Sequence, residues 1–167
     1  MEYAPAALQL PEDYLRAQRA GYFGVVIWNP KFEENIGALL RTAHVFGAGF
    51  IGVFGERWRR YNSDTTASAK HVPTYYYGQT PDWFDRLPED CEPVAVEITE
   101  DADSLVRFDH PKRAAYILGP EDGSLPAYVL ERCQRKVRIP TRWCLNVAVA
   151  GAVVMYDRIA KRVRFGS

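Results

Sequence analysis

The sequence predicts an α/β domain, a largely parallel sheet flanked by helices. Three observations carry this. Short apolar runs bounded by turn residues, at 22–28, 50–54, 94–98 and 114–118, read as strands buried on both faces. Between the first two, Ile36, Leu39, Leu40, Ala43 and Phe46 recur at the spacing of one helical face. The resulting strand, helix, strand order spans about 30 residues, the length of one right-handed crossover unit.

The elements follow in order. Residues 1–20 read as a short N-terminal arm, in which Leu10, Pro11, Glu12 and Asp13 open about two helical turns that reach Arg19. The strand 22–28 breaks at Asn29 and Pro30. The helix from Asn35 stops at Gly47 and Gly49. After the strand 50–54, Arg57, Trp58, Arg59, Arg60 and Tyr61 form a basic, aromatic loop, and Ser63 caps a short helix through Lys70. Tyr75, Tyr76 and Tyr77 make a short strand. Thr80, Pro81 and Asp82 suit the first positions of a helix to Leu87. The strands 94–98 and 114–118 come next, followed by a tight Gly/Pro loop at 119–123. Pro126 starts a helix to Cys133, residues 136–139 alternate as a strand ending at Pro140, and a last helix covers 145–162. One domain over 21–167 accommodates all of this.

The chain has 167 residues, with 21 basic and 21 acidic side chains. Its composition is that of a globular protein and excludes collagen, coiled-coil and disordered classes. A net charge of zero argues at first against a nucleic-acid partner. The distribution is uneven, however. Residues 80–129 carry 4 basic and 12 acidic side chains, and residues 130–167 carry 9 and 2. The basic C-terminal segment is either a solvated surface balanced by the acidic stretch or part of a phosphate-binding face. Three scattered cysteines, Cys91, Cys133 and Cys144, include no Cys-x-x-Cys pair, so zinc, disulfide-framework and thioredoxin-like chemistry are not expected. No signal pattern or membrane-length apolar run occurs, and a cytoplasmic protein is expected.

In such sheets ligands bind beyond the carboxyl ends of the strands. Three loops there are candidates. The first holds Asn35, Gly37 and Arg41; Arg41 lies well off the apolar stripe of its helix, and Asn35 reads by itself as a helix N-cap. The second, 118–126, places Glu121 between glycines at a strand end. The third runs from Ile139 through Asn146 into a helix that is apolar on every side from Val147 to Met155, which implies burial all round and a partner subunit. Neither a Gly-x-Gly-x-x-Gly nor a P-loop motif is present.

Together the three loops resemble the SpoU class of SPOUT RNA methyltransferases. The first motif matches Asn35, Gly37, Arg41, Thr42 and Ala43 followed by Phe46, Gly47 and Ala48. The second matches 118–126, with its second glycine one place early. The third matches Ile139 and Pro140, then Leu145, Asn146 and Val147, then Tyr156 and Asp157. The resemblance spans about residues 21–162 and implies an α/β-knot fold with a deep C-terminal trefoil knot. It also implies a homodimer through the C-terminal helix, and S-adenosylmethionine as methyl donor with no metal. The implied reaction is methylation of a ribose 2′-hydroxyl in structured RNA, tRNA ahead of rRNA.

By the same resemblance, Glu97, Leu118, Gly119, Ile139, Cys144, Leu145 and Asn146 would hold the cofactor. Arg41 would be catalytic, with Asn35, Glu121 and Asn146 shaping the site and Glu121 and Asn35 holding either the guanidinium or the cofactor. Since a guanidinium is always protonated, Arg41 would stabilise developing alkoxide charge rather than act as a base. Arg57, Trp58, Arg59, Arg60, Arg142 and Trp143 would bind RNA by pairing phosphates and stacking bases. Cys144 stands where the family usually has serine, and Ala148 lies near a usually polar position. These departures motivate a rival, a non-catalytic knotted RNA-binding module; a non-RNA α/β enzyme is the third possibility.

Overall fold

Among the described residues seven strands pair in the order β3-β2-β1-β6-β4-β7-β5, and every pairing between them is parallel. The computed structural model describes residues 12, 21–55, 71–78 and 81–165. The strands are β1 (Phe23–Trp28), β2 (Phe50–Phe54), β3 (Thr74–Tyr77), β4 (Glu92–Val96), β5 (Asp103–Ser104), β6 (Ala114–Leu118) and β7 (Arg135–Arg138). The helices are α1 (Glu33–Val45), α2 (Ala127–Arg132) and α3 (Val147–Phe165), with 3-10 turns at Pro81–Arg86 and Leu105–Arg107. The helices expected at 10–19 and 63–70 and the Arg57–Tyr61 loop lie outside the described residues, Glu12 excepted.

Alternation along the strands divides the core into two layers. Val25 and Ile27 of β1, with Ile51, Val53, Tyr116 and Leu118, pack under Ile36, Leu39, Leu40 and Ala43 of α1 and Val147, Val154 and Met155 of α3. Val26 and Trp28, with Phe54 and Ile117, face Trp83 and Phe84 of the 3-10 turn and Val129 of α2. Burial on both faces explains why β1 and β6 read as unbroken apolar runs. Each fully buried aliphatic side chain here contributes roughly 2 kcal/mol of transfer free energy.

Two features fix the α1–α3 layer. Gly47, at φ 75°, terminates α1 as its left-handed residue, with its N–H bonded to His44 O and that of Ala48 to Ala43 O. Gly151 brings α3 down onto the core: a Cβ there would stand 2.5 Å from Leu39 Cδ1 and 3.1 Å from Leu118 Cδ1.

Several sequence expectations are corrected. Helix α1 starts two residues before Asn35, with Phe32 in the N-cap position, so Asn35 is not the cap. Residues 81–86 wind as a 3-10 turn rather than the expected α-helix. Strand β4 ends at Val96, short of Ile98, and β5 escaped notice because two residues carry no periodicity. The C-terminal helix begins at Val147, since Asn146 caps it. Within one chain it is not buried all round: Val149 is 48% and Tyr156 63% exposed.

Candidate active site

Strands β6, β4 and β7 are neighbours, and the residues that follow them, Gly119, Glu97 and Ile139, open one cleft at their carboxyl ends. Leu118, Glu121, Cys144, Leu145 and Val147 complete its walls, together with Ile98, Arg138 and Thr141. Six of the seven residues expected to hold a cofactor therefore converge here: Glu97, Leu118, Gly119, Ile139, Cys144 and Leu145. Asn146 lines the adjoining groove between α1 and α3 instead.

Glu97 does more than line the cleft. Its Oε2 accepts the Leu125 N–H at 3.0 Å and its Oε1 accepts the Ile98 N–H at 2.9 Å, so the carboxylate pins the 119–125 loop to the end of β4. A Cβ on Gly119 would lie 3.2 Å from that same Oε2 and 3.5 Å from Leu125 N. A side chain there would require the carboxylate to give by a few tenths of an ångström.

At the cleft's edge an amide relay joins the starts of α1 and α3. Glu121 Oε2 accepts the Lys31 N–H at 2.8 Å, and Oε1 accepts Asn35 Nδ2 at 2.7 Å and Phe32 N–H at 3.4 Å. Asn35 Oδ1 accepts Asn146 Nδ2 at 2.8 Å, and Asn146 Oδ1 accepts the Ala148 and Val149 N–H groups at 2.9 and 3.3 Å. Each amide has one permitted orientation, because an ionised carboxylate terminates one end and backbone donors the other. Burial alone raises the Glu121 carboxyl, but the Asn35 amide and the Lys31 and Phe32 N–H groups outweigh it and hold its pKa below the ordinary value. A carboxylate at the N-terminus of α1 and a capping asparagine at that of α3 also meet the helix dipoles.

Arg41 stands apart. It is exposed on α1, about 120° around the helix and ~9 Å along it from Asn35, and it lines neither cleft nor groove. Among the described residues it has no hydrogen-bond or ion-pair partner, and Glu121 and Asn35 hold each other and the helix start rather than its guanidinium.

The family model for the SpoU rRNA Methylase family matches residues 22–156. The chain belongs to that family. It is 25% identical over 175 residues to the 23S rRNA (uridine(2479)-2′-O)-methyltransferase of Streptomyces viridochromogenes, covering 95% of this chain and 60% of that one. Among solved structures it resembles the SpoU methyltransferase AviRb from Streptomyces viridochromogenes in complex with AdoMet, at TM-score 0.76 and 22% identity, over 85% of this chain and 58% of that one. It also resembles the A. aeolicus TrmH/SpoU tRNA modifying enzyme, at TM-score 0.73 and 20% identity, over 93% and 87% of the two chains. These structural likenesses show the SpoU fold. The chain spans about 60% of the length of the first of these relatives.

For this SpoU chain, sequence reasoning missed Ile98, Arg138 and Thr141 in the cleft. Ile98 and Arg138 lie next to strand ends, so applying the strand-end rule at every edge would have found them. It also missed the backbone N–H groups of Lys31 and Phe32, which have no side-chain signature. The RNA-binding expectations divide: Arg57, Trp58, Arg59 and Arg60 lie outside the described residues, whereas Arg142 sits beside the cleft loop with its guanidinium 5.8 Å from the Trp143 ring centroid. Among the described residues no group of three or more His, Cys, Asp or Glu is placed to hold a metal, and no helix is long and apolar enough to cross a membrane.

Proposed function

We propose that this chain transfers a methyl group from S-adenosylmethionine to a ribose 2′-hydroxyl of structured RNA, tRNA in preference to rRNA. The observation that carries the reading is the cleft at the ends of β4, β6 and β7, built from three loops distant in sequence and bordered by the Glu121–Asn35–Asn146 relay. Relatives named for rRNA and tRNA substrates both support RNA as the acceptor.

The residues suit the donor. Leu118, Ile139, Leu145 and Val147 offer apolar walls to a purine ring, and the glycine at 119 keeps backbone within reach of a ligand. Cys144 contributes through its backbone, since a thiol is a weak hydrogen-bonding group. When bound, S-adenosylmethionine supplies an electrophilic methyl group on a sulfonium. The protein's own task is then to position the hydroxyl in line and to stabilise charge as it deprotonates. Arg41 lies outside the cleft of its own chain, so in this reading the partner chain of the dimer brings it to the developing alkoxide, which it meets with two parallel N–H donors while solvent or a phosphate oxygen takes the proton. Asn35, Glu121 and Asn146 act as positioning residues, fixing the angle between α1 and α3.

The reading includes a homodimer through the α1–α3 groove, a trefoil knot formed as the chain from β7 to α3 threads the cleft loops, and a cytoplasmic location. The apolar groove, with Val149 and Tyr156 exposed along it, supports the dimer. Calorimetry with S-adenosylmethionine separates an enzyme from a non-catalytic RNA-binding module: the enzyme binds it with micromolar affinity, and no heat at millimolar ligand refutes the reading. Arg41→Lys keeps the charge but loses the fork, so turnover on transfer RNA should fall at least about tenfold. Turnover near the parent's would sink the role given to the fork.

A further inference from the structure

We propose that Trp143 is a stacking platform for an unpaired nucleobase of the RNA beside the cleft, which makes it a positioning residue that selects single-stranded over duplex nucleotides. The inference rests on the RNA-methyltransferase reading and names its substrate class more narrowly.

Tryptophan is among the most buried residues on average. Trp28 and Trp83 follow that rule at 6% and 2% exposure, but Trp143 is 76% exposed. Its backbone is nevertheless fixed. The Thr141 N–H donates to Ile139 O at 2.9 Å, the Thr141 hydroxyl donates to Trp143 O at 2.8 Å, and Asn146 caps the helix three residues on. A turn tied by these hydrogen bonds that leaves its largest apolar ring to solvent suits a ligand, because part of the backbone ordering cost is met before binding.

The neighbours identify the ligand. Thr141 and Cys144, on either side, line the cofactor cleft, so whatever covers Trp143 lies next to the methyl acceptor. Arg142 stands over the ring, and among the described residues its guanidinium has no carboxylate partner. A flat π surface joined to an uncompensated cation matches a nucleotide, the base on the ring and the phosphate on the arginine. A base inside a duplex has both faces stacked, so the nucleotide must be unpaired.

The test uses the full chain and a fluorescein-labelled 12-nucleotide unstructured RNA, beside the same sequence as a duplex, with binding read by anisotropy. Wild type should prefer the single strand. Trp143→Ala should weaken single-strand binding roughly 5- to 100-fold, and Trp143→Phe by about threefold or less. The dissociation constant for S-adenosylmethionine, measured by calorimetry on the same variants, should move by no more than about twofold. Equal binding of single strand by Trp143→Ala and wild type, equal binding of duplex and single strand, or no binding by wild type overturns the proposal. So does a Trp143→Ala chain that changes oligomeric state in sedimentation, which would place the ring in a subunit contact. Failure of the methyl-transfer reading shows separately, as absence of S-adenosylmethionine binding in wild type.

Discussion

Asn35 illustrates how much one side chain decides once neighbours distant in sequence surround it. Its local signal suits a helix cap, yet it sits inside α1 and links Glu121 to Asn146, residues 86 and 111 positions away. Asn35→Ala removes both links at once and leaves a carboxylate and an amide each short of one partner. The site is only partly buried, so water replaces some of the loss, and the expected cost is about 1–2 kcal/mol in urea unfolding. The acid limb should move as well. Because Glu121 has a lowered pKa in the fold, its contribution is present above the ordinary carboxylate pKa and is lost as pH falls through the folded value. Asn35→Ala, which removes the largest of the lowering hydrogen bonds, should make stability less dependent on pH below about 4. An unchanged acid limb would show that the relay does not hold the carboxylate. Glu97 is a related case: the family resemblance implied a cofactor contact, and the structure adds a loop anchor, because its two oxygens meet backbone N–H groups that no side-chain pattern reveals.

Helix α3 is held by more than its apolar face. Arg158, 3% exposed, donates to Pro111 O at 2.6 Å, Lys112 O at 2.8 Å, Tyr22 O at 3.1 Å and the Tyr116 hydroxyl at 3.2 Å, tying α3 to the starts of β1 and β6. Beside it His110 lies between the Tyr116 hydroxyl at 2.6 Å and Asp157 Oδ2 at 2.8 Å, with Lys161 Nζ 2.7 Å from the same carboxylate. Burial pushes the imidazole down to about 4; the Asp157 carboxylate opposes this without overcoming it, and Arg158 and Lys161 add to it. A neutral ring here donates from Nε2 to Asp157 and accepts the tyrosine proton at Nδ1. The unfolded chain takes up this proton near pH 6.5, the folded one only near 4. Stability is therefore full above about 6.5 and falls across that window, by up to about 3 kcal/mol. Chemical denaturation from pH 7 to 4 should show this slope, and His110→Gln should flatten it. None of this was legible in the sequence, where His110 was one polar residue before a strand. The helix itself was legible, because the apolar stretch from Val147 to Met155 that makes up its first half carries its own signal.

For the whole molecule, the charge balance and the α1–α3 groove matter most. Much of the basic C-terminal charge is answered by the acidic middle of the chain: Arg132 pairs with Asp85, Arg135 with Glu92 and Lys136 with Asp101. Arg158 and Arg162 turn inward to carbonyl oxygens. Around the cleft, among the described residues of that segment, Arg138 donates to Ala102 O at 3.3 Å and Arg142 stands beside Trp143, so most of the segment follows the balanced-surface reading. If the groove is a subunit interface, Val149→Asp should convert a dimer to a monomer in sedimentation, since a carboxylate buried there has no partner. A parent chain that sediments as a monomer would refute the dimer.

The sequence by itself determined most of the described strands, the three α-helices and two of the loops that line the cleft, 118–126 and 139–146, because apolar period and turn chemistry act over a few residues at a time. It also held the motif residues in their order. Only the tertiary structure decided that Asn35 bridges two helices, that Glu97 anchors a loop, that Arg41 stands free of Glu121, and that opposite charges from two segments cancel. Those outcomes are hydrogen bonds and ion pairs between positions tens of residues apart. Local pattern is silent about such pairs, since their partners are chosen by the packing of the sheet and its helices rather than by the chain around them.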